Sequence, residues 1–68
     1  MFRVNQTEWI NPRLKGVEHV EIKEHEEDSK AFFYVDSSTN DGDSYSSEYF
    51  DTFEDAEDYV KNLIDELN

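Results

Sequence analysis

The stretch FEDAEDYVKNLIDEL, residues 53–67, decides the fold. Phe53, Ala56, Val60, Leu63 and Leu67 recur at steps of three and four, with Tyr59 and Ile64 flanking the stripe. That period predicts an amphipathic helix. Asp51 or Thr52 supplies the N-cap, with Glu54 or Asp55 respectively three residues later as the capping-box partner. The opposite face carries Glu54, Asp55, Glu57, Asp58, Lys61, Asp65 and Glu66. The first four of those acids lie where the helix dipole favours negative charge; Asp65 and Glu66 sit at the unfavourable end. One apolar stripe needs a flat partner to bury it, and the preceding residues read as strands.

Val17 to His25 alternates, with Val20 and Ile22 on one side and Glu21, Lys23 and His25 on the other, the pattern of a half-buried strand. Glu26-Glu27-Asp28-Ser29 reads as a polar hairpin connection, and Ala31 to Val35, apolar on both faces, as the central strand. Asp36 to Ser44 contains Asn40-Asp41-Gly42-Asp43 and reads as a turn, with Gly42 free to take a positive φ. Tyr45 to Phe50 is the next strand, with Tyr45, Ser47 and Tyr49 expected on one face and Ser46, Glu48 and Phe50 on the other. Phe2 to Ile10 allows a fourth strand with Phe2 and Val4 inward, closed by a turn at Asn11-Pro12 and Gly16. No repeat or linker divides residues 1–68. The expected architecture is α+β: a single domain with an antiparallel meander of three to four strands and one C-terminal amphipathic helix packed on one face.

One helix covers only one sheet face. Either Phe32 and Tyr34 or Phe33 and Val35 must point away from it, together with some of Tyr45, Tyr49 and Trp9. The expectation is that Trp9 and Ile10 fold back over that face. The alternative is an exposed aromatic patch, which on so small a domain marks an interface or a homodimer.

Charge limits the partners. Eighteen acidic residues against six basic give a net charge of −12 and a pI near 4.2. Residues 1–16 hold Arg3, Arg13 and Lys15 against Glu8 alone, whereas residues 17–68 hold Lys23, Lys30 and Lys61 against seventeen acids. Direct binding to nucleic acid or to an anionic membrane is disfavoured, because both depend on Lys and Arg displacing counterions from phosphates. A basic protein, including one whose cleft holds nucleic acid, is favoured for the same reason. Aromatic residues make up 15% of the chain and recur periodically, which argues for a folded core rather than an acidic disordered tract. The stretch from Met1 to Ile10 has no continuous apolar run and carries Arg3, Asn5, Gln6 and Glu8, so neither a signal segment nor a membrane span is expected there, and the expected location is cytoplasmic.

The chemistry-bearing patterns are sparse. With no cysteine there is no disulfide and no Cys-based zinc site. His19 and His25 are six residues apart, about 20 Å along a strand, too far to share a substrate or metal. Glu18 and Glu21 neighbour the first and Glu24 and Glu26 the second; both read as solvated surface histidines. The run from Ser37 to Glu48 places Asp41, Gly42 and Glu48 at positions five, six and twelve of a calcium loop, but Ser37 and Thr39 stand where carboxylates belong and the flanks are strands. A hairpin loop is the expected reading. With only Gly16 and Gly42 there is no Gly-rich phosphate loop, so neither metal, cofactor nor catalytic group is expected.

The acidic surface remains. A helix of 15 residues is about 22 Å long and displays Glu54, Asp55, Asp58, Asp65 and, at the edge, Glu57. Glu24, Glu26, Glu27 and Asp28 at one hairpin, with Asp36, Asp41 and Asp43 at the other, extend that charge. The expected function is a non-enzymatic inhibitor that occupies a basic nucleic-acid-binding surface of a partner protein, a mimicry logic typical of small acidic proteins of phages and other mobile elements. The alternative is a small interaction or accessory domain that uses an aromatic sheet face including Tyr45 and Tyr49, with a second copy of itself as one candidate partner. Plain solubility is the undistinguished explanation of an acidic face, and the uneven distribution of charge argues against it.

Overall fold

The structure, a computed structural model, describes residues 1–11 and 16–67, excluding the side chain of Leu67. The turn expected at Asn11-Pro12 therefore lies largely outside the described residues. The elements run β1 (Phe2–Arg3), β2 (Glu8–Ile10), β3 (Val17–Glu27), β4 (Lys30–Thr39), β5 (Ser44–Ser46) and α1 (Phe53–Leu67). The strands form one sheet in the order β1-β2-β3-β4-β5, each antiparallel to the next. The α+β meander with a C-terminal helix is as the sequence predicts.

The sheet has five strands rather than three or four. The Asn5 side-chain oxygen accepts from the Thr7 amide at 2.9 Å and the Val4 amide donates to the Glu8 carbonyl at 2.9 Å. This Asx-type turn folds the N-terminal segment into two short strands. Phe2 and Val4, expected inward, are both exposed: Phe2 pairs with Ile10 on the sheet face opposite the helix, and Val4 lies past the end of β1 in an open groove beside Phe53 and Glu57.

The β3–β4 hairpin is the backbone of the molecule. Its ladder runs from Val17 opposite Thr39 to Glu27 opposite Lys30, and a two-residue turn closes it at Asp28 and Ser29 with φ of 51° and 64°. Two successive left-handed residues match the twist of a hairpin, at a cost because neither is glycine. The segment expected to turn after Val35 instead continues as strand to Thr39, leaving Asn40 to Asp43 as the bend, with Gly42 at φ 93°. Neither β2 nor β5 reaches the hairpin tip, so the residues from Glu24 to Phe32 project as a two-stranded ribbon.

Register assigns the faces, since directly paired residues share one. Trp9 opposes Val20, and Ile22 opposes Val35; all four are buried with Ala56 and Val60 from α1. Phe33, Phe50, Phe53, Leu63 and Ile64 pack around this core. Trp9 thus sits under the helix, and the expectation that it covers the other face is wrong. Tyr59, at the margin of the stripe, packs on Phe50 with ring centroids 5.6 Å apart. Thr52 is the N-cap, its Oγ accepting from the Asp55 amide at 3.2 Å.

The expected Tyr45–Phe50 strand is shorter and interrupted. Asp36 opposes Ser46 and Phe33 opposes Phe50, so four steps on one side answer three on the other. One inserted residue flips every later side chain to the other face. Phe50 therefore enters the core beside Phe33, while Tyr49 turns to the uncovered face. Tyr45, opposite Ser37, lies on the helix-bearing face and is exposed.

Candidate interaction surfaces

On the helix-bearing side, Glu54, Asp55, Asp58, Asp65 and Glu66 are all exposed. Four ion pairs join described residues: Arg3–Glu57, His19–Glu8, Lys23–Asp36 and His25–Glu27, and none involves those five acids. Glu57 is a structural tie instead of part of the display. Arg3 donates to its carboxylate at 2.7 Å and to the Gln6 carbonyl at 2.7 Å, with its guanidinium 4.8 Å from the centre of the Trp9 ring. One cation thereby fastens the N-terminal turn to the first turns of the helix. An open groove of about 640 Å³ beside it is lined by Arg3, Val4, Asn5, Gln6, Phe53 and Glu57.

The acids outside the helix divide by strand parity. Glu24 and Glu26 oppose Phe33 and Ala31, on the helix-bearing face. The Phe33 ring meets Phe53 edge-on at 5.9 Å, so the ribbon acids and the start of α1 share one side and one end of the sheet. Glu27 lies on the other face beside His25, at 3.6 Å, and Asp28 occupies the tip. Asp41 and Asp43 are exposed at the far end of β4, about 30 Å from that tip at the usual strand rise. Asp36, on the uncovered face, is bound by Lys23 at 3.1 Å.

The uncovered face is a row of polar pairs with apolar residues at both ends. At one edge Phe2 and Ile10 are exposed. In the middle His19 bonds the Glu8 carboxylate, to which Asn5 also donates at 2.9 Å. The bond from His19, then that from Asn5, holds the Glu8 carboxyl below its ordinary 4.5. The Asp36 carboxylate pushes the Lys23 ammonium above its ordinary 10.5. Beyond them Tyr49 meets three rings: parallel to His25 at 5.1 Å, stacked on Phe32 at 6.1 Å and edge-on to Tyr34 at 5.6 Å. Lys30 approaches the Phe32 ring at 5.1 Å.

The histidines have partners that adjacency does not supply. Glu24 and Glu26 immediately neighbour His25 in the chain and so point to the opposite face, while Glu18 falls at the register shift between Val17 and His19. Glu27, two residues from His25, and Glu8, across the β2–β3 ladder from β3, share the histidines' face. Arg3–Glu57 also escapes sequence reasoning, because the two residues are 54 positions apart and no local pattern joins them. The run from Ser37 to Glu48 is a β-hairpin, with the Thr39 amide donating to the Asp43 carbonyl at 2.8 Å and the Gly42 amide to the Thr39 carbonyl at 3.1 Å. Among the described residues no group of three His, Asp or Glu converges as metal ligands, and no helix is long and apolar enough to cross a membrane. No protein-family description, no curated protein and no solved structure matches this chain.

Proposed function

We propose that this protein is a non-enzymatic inhibitor that lays its acidic helix side on a basic, nucleic-acid-binding surface of a partner protein. The observation that carries the reading is the exposed row Glu54, Asp55, Asp58, Asp65 and Glu66 on a rigid helix, with no ion pair to another described residue. Glu24 and Glu26 continue that charge along the projecting ribbon on the same side. A backbone already ordered as helix and strand needs no further ordering on binding, and a row about as long as several phosphate spacings matches what such a partner's lysines and arginines are arranged to meet.

The end of the helix adds support. Asp65 and Glu66 face the negative pole of the dipole and no basic residue stands in the last turn, so their placement costs stability. Helix stability alone does not account for acids at that end.

The test changes the row without disturbing the helix start, where Lys would oppose the dipole. The variant Glu54→Gln, Asp55→Asn, Asp58→Lys, Asp65→Lys is compared with the parent for capture of a partner from host extract and for displacement of nucleic acid from it. The proposal expects both to be lost in the folded variant; retention of both overturns it.

A further inference from the structure

We infer that the uncovered sheet face around Tyr49 is a receptor for an arginine-bearing segment of a basic protein partner. The inference deepens the reading above, on which its choice of a cationic partner rests, by assigning a second contact on the opposite side of the sheet.

Tyr49 is 55% exposed although it touches three other rings, so part of its own ring is presented to solvent above a platform of His25 and Phe32, with Tyr34 edge-on beside it. The platform fixes the ring before anything binds. A fixed, half-solvated aromatic face with a carboxylate at its edge is an environment in which a guanidinium stacks well, since the ring quadrupole and the neighbouring charge act together. Glu27 reaches the edge of this platform through His25, at 3.6 Å. The chain's own cations already use this mode, Lys30 over Phe32 and Arg3 over Trp9.

Charge decides among occupants. A second copy of this chain brings a net −12 against −12, and a nucleic acid or anionic membrane brings phosphates to the same carboxylates. A cationic polypeptide is the occupant whose charge complements the chain, and arginine, planar and weakly hydrated, suits an aromatic platform better than lysine.

The test uses an acetylated, amidated hexa-arginine peptide with the full chain, following affinity by titration calorimetry and the Tyr49 ring protons by NMR. Expected results are a shift of those ring protons, at least fivefold weaker binding by Tyr49→Leu, near-parental binding by Tyr49→Phe, and weaker binding of hexa-lysine by the parent. Lys30→Ala, which frees the Phe32 ring, tightens binding more than Lys61→Ala, which changes the net charge equally on the helix. Equal effects of the two lysine variants, with Tyr49→Leu like the parent, overturn the inference. The helix variant separates the two readings: if it alone loses the peptide, the acidic helix stands and the Tyr49 receptor falls; if Tyr49→Leu alone loses it, the reverse holds.

Discussion

The Val35 amide donates to the hydroxyl oxygen of Ser47 at 2.8 Å, where a regular ladder would offer a backbone carbonyl. The same hydroxyl donates to the Glu48 carbonyl at 2.8 Å, and the Ser47 amide donates to the Val35 carbonyl at 2.8 Å. Ser47 thus absorbs the inserted residue that sends Phe50 into the core and Tyr49 to the other face. Val35 is 2% exposed, so its amide has no recourse to water. Ser47→Ala is expected to destabilise the fold by about 1–3 kcal/mol, the cost of an unsatisfied buried donor. Urea denaturation checks this, and an unchanged midpoint would remove Ser47 from the account.

The β3–β4 turn stores strain at Ser29, whose φ of 64° is left-handed. Ser29→Gly is expected to stabilise the protein by about 0.5–1 kcal/mol, the relief of the left-handed penalty less the extra freedom of glycine when unfolded. Thermal unfolding reads the difference. The pairing of Asp28 with glycine also forms the dipeptide that such turns favour.

These two sites show where the sequence was readable. The helix was legible to its last residue, because Phe53, Ala56, Val60 and Leu63 need nothing beyond a period to declare one face. The strand alternation at Val20 and Ile22 was equally plain. The placement of Tyr49 was not, because a single inserted residue reverses parity and nothing in Ser46-Ser47-Glu48 announces it. Trp9 was misplaced because its partner Val20 is known only once β2 and β3 are in register. The exposure of Glu54, Asp55, Asp58, Asp65 and Glu66 follows from the helical period, whereas the tie of Glu57 to Arg3 spans 54 positions and leaves no local pattern.

Acid sensitivity follows from Glu8. A carboxyl held below its ordinary 4.5 by the folded state contributes stability that is present above that value and is lost as pH falls through the lowered folded one. Glu8→Gln is therefore expected to unfold with a weaker pH dependence than the parent on the acid side of 4.5, measured by denaturant midpoints across that range. An identical pH profile would show that the His19 and Asn5 contacts do not persist in solution.

The helix end offers a prediction of opposite sign. Asp65→Lys places a cation where the dipole favours one and is expected to raise stability by about 0.3–1 kcal/mol, whereas Thr52→Ala, which removes the cap on the Asp55 amide, lowers it by about 1 kcal/mol. Thermal melts at low salt compare the two.

The central claim is that carboxylates of this chain occupy a site that otherwise holds nucleic acid. Its most direct measurement is the affinity for the captured partner at about 50 and 200 mM salt, with and without competing DNA or RNA. The account predicts a steep loss of affinity with salt and mutual displacement by nucleic acid. An affinity unchanged by salt, with nucleic acid bound undisturbed in the same complex, would contradict it.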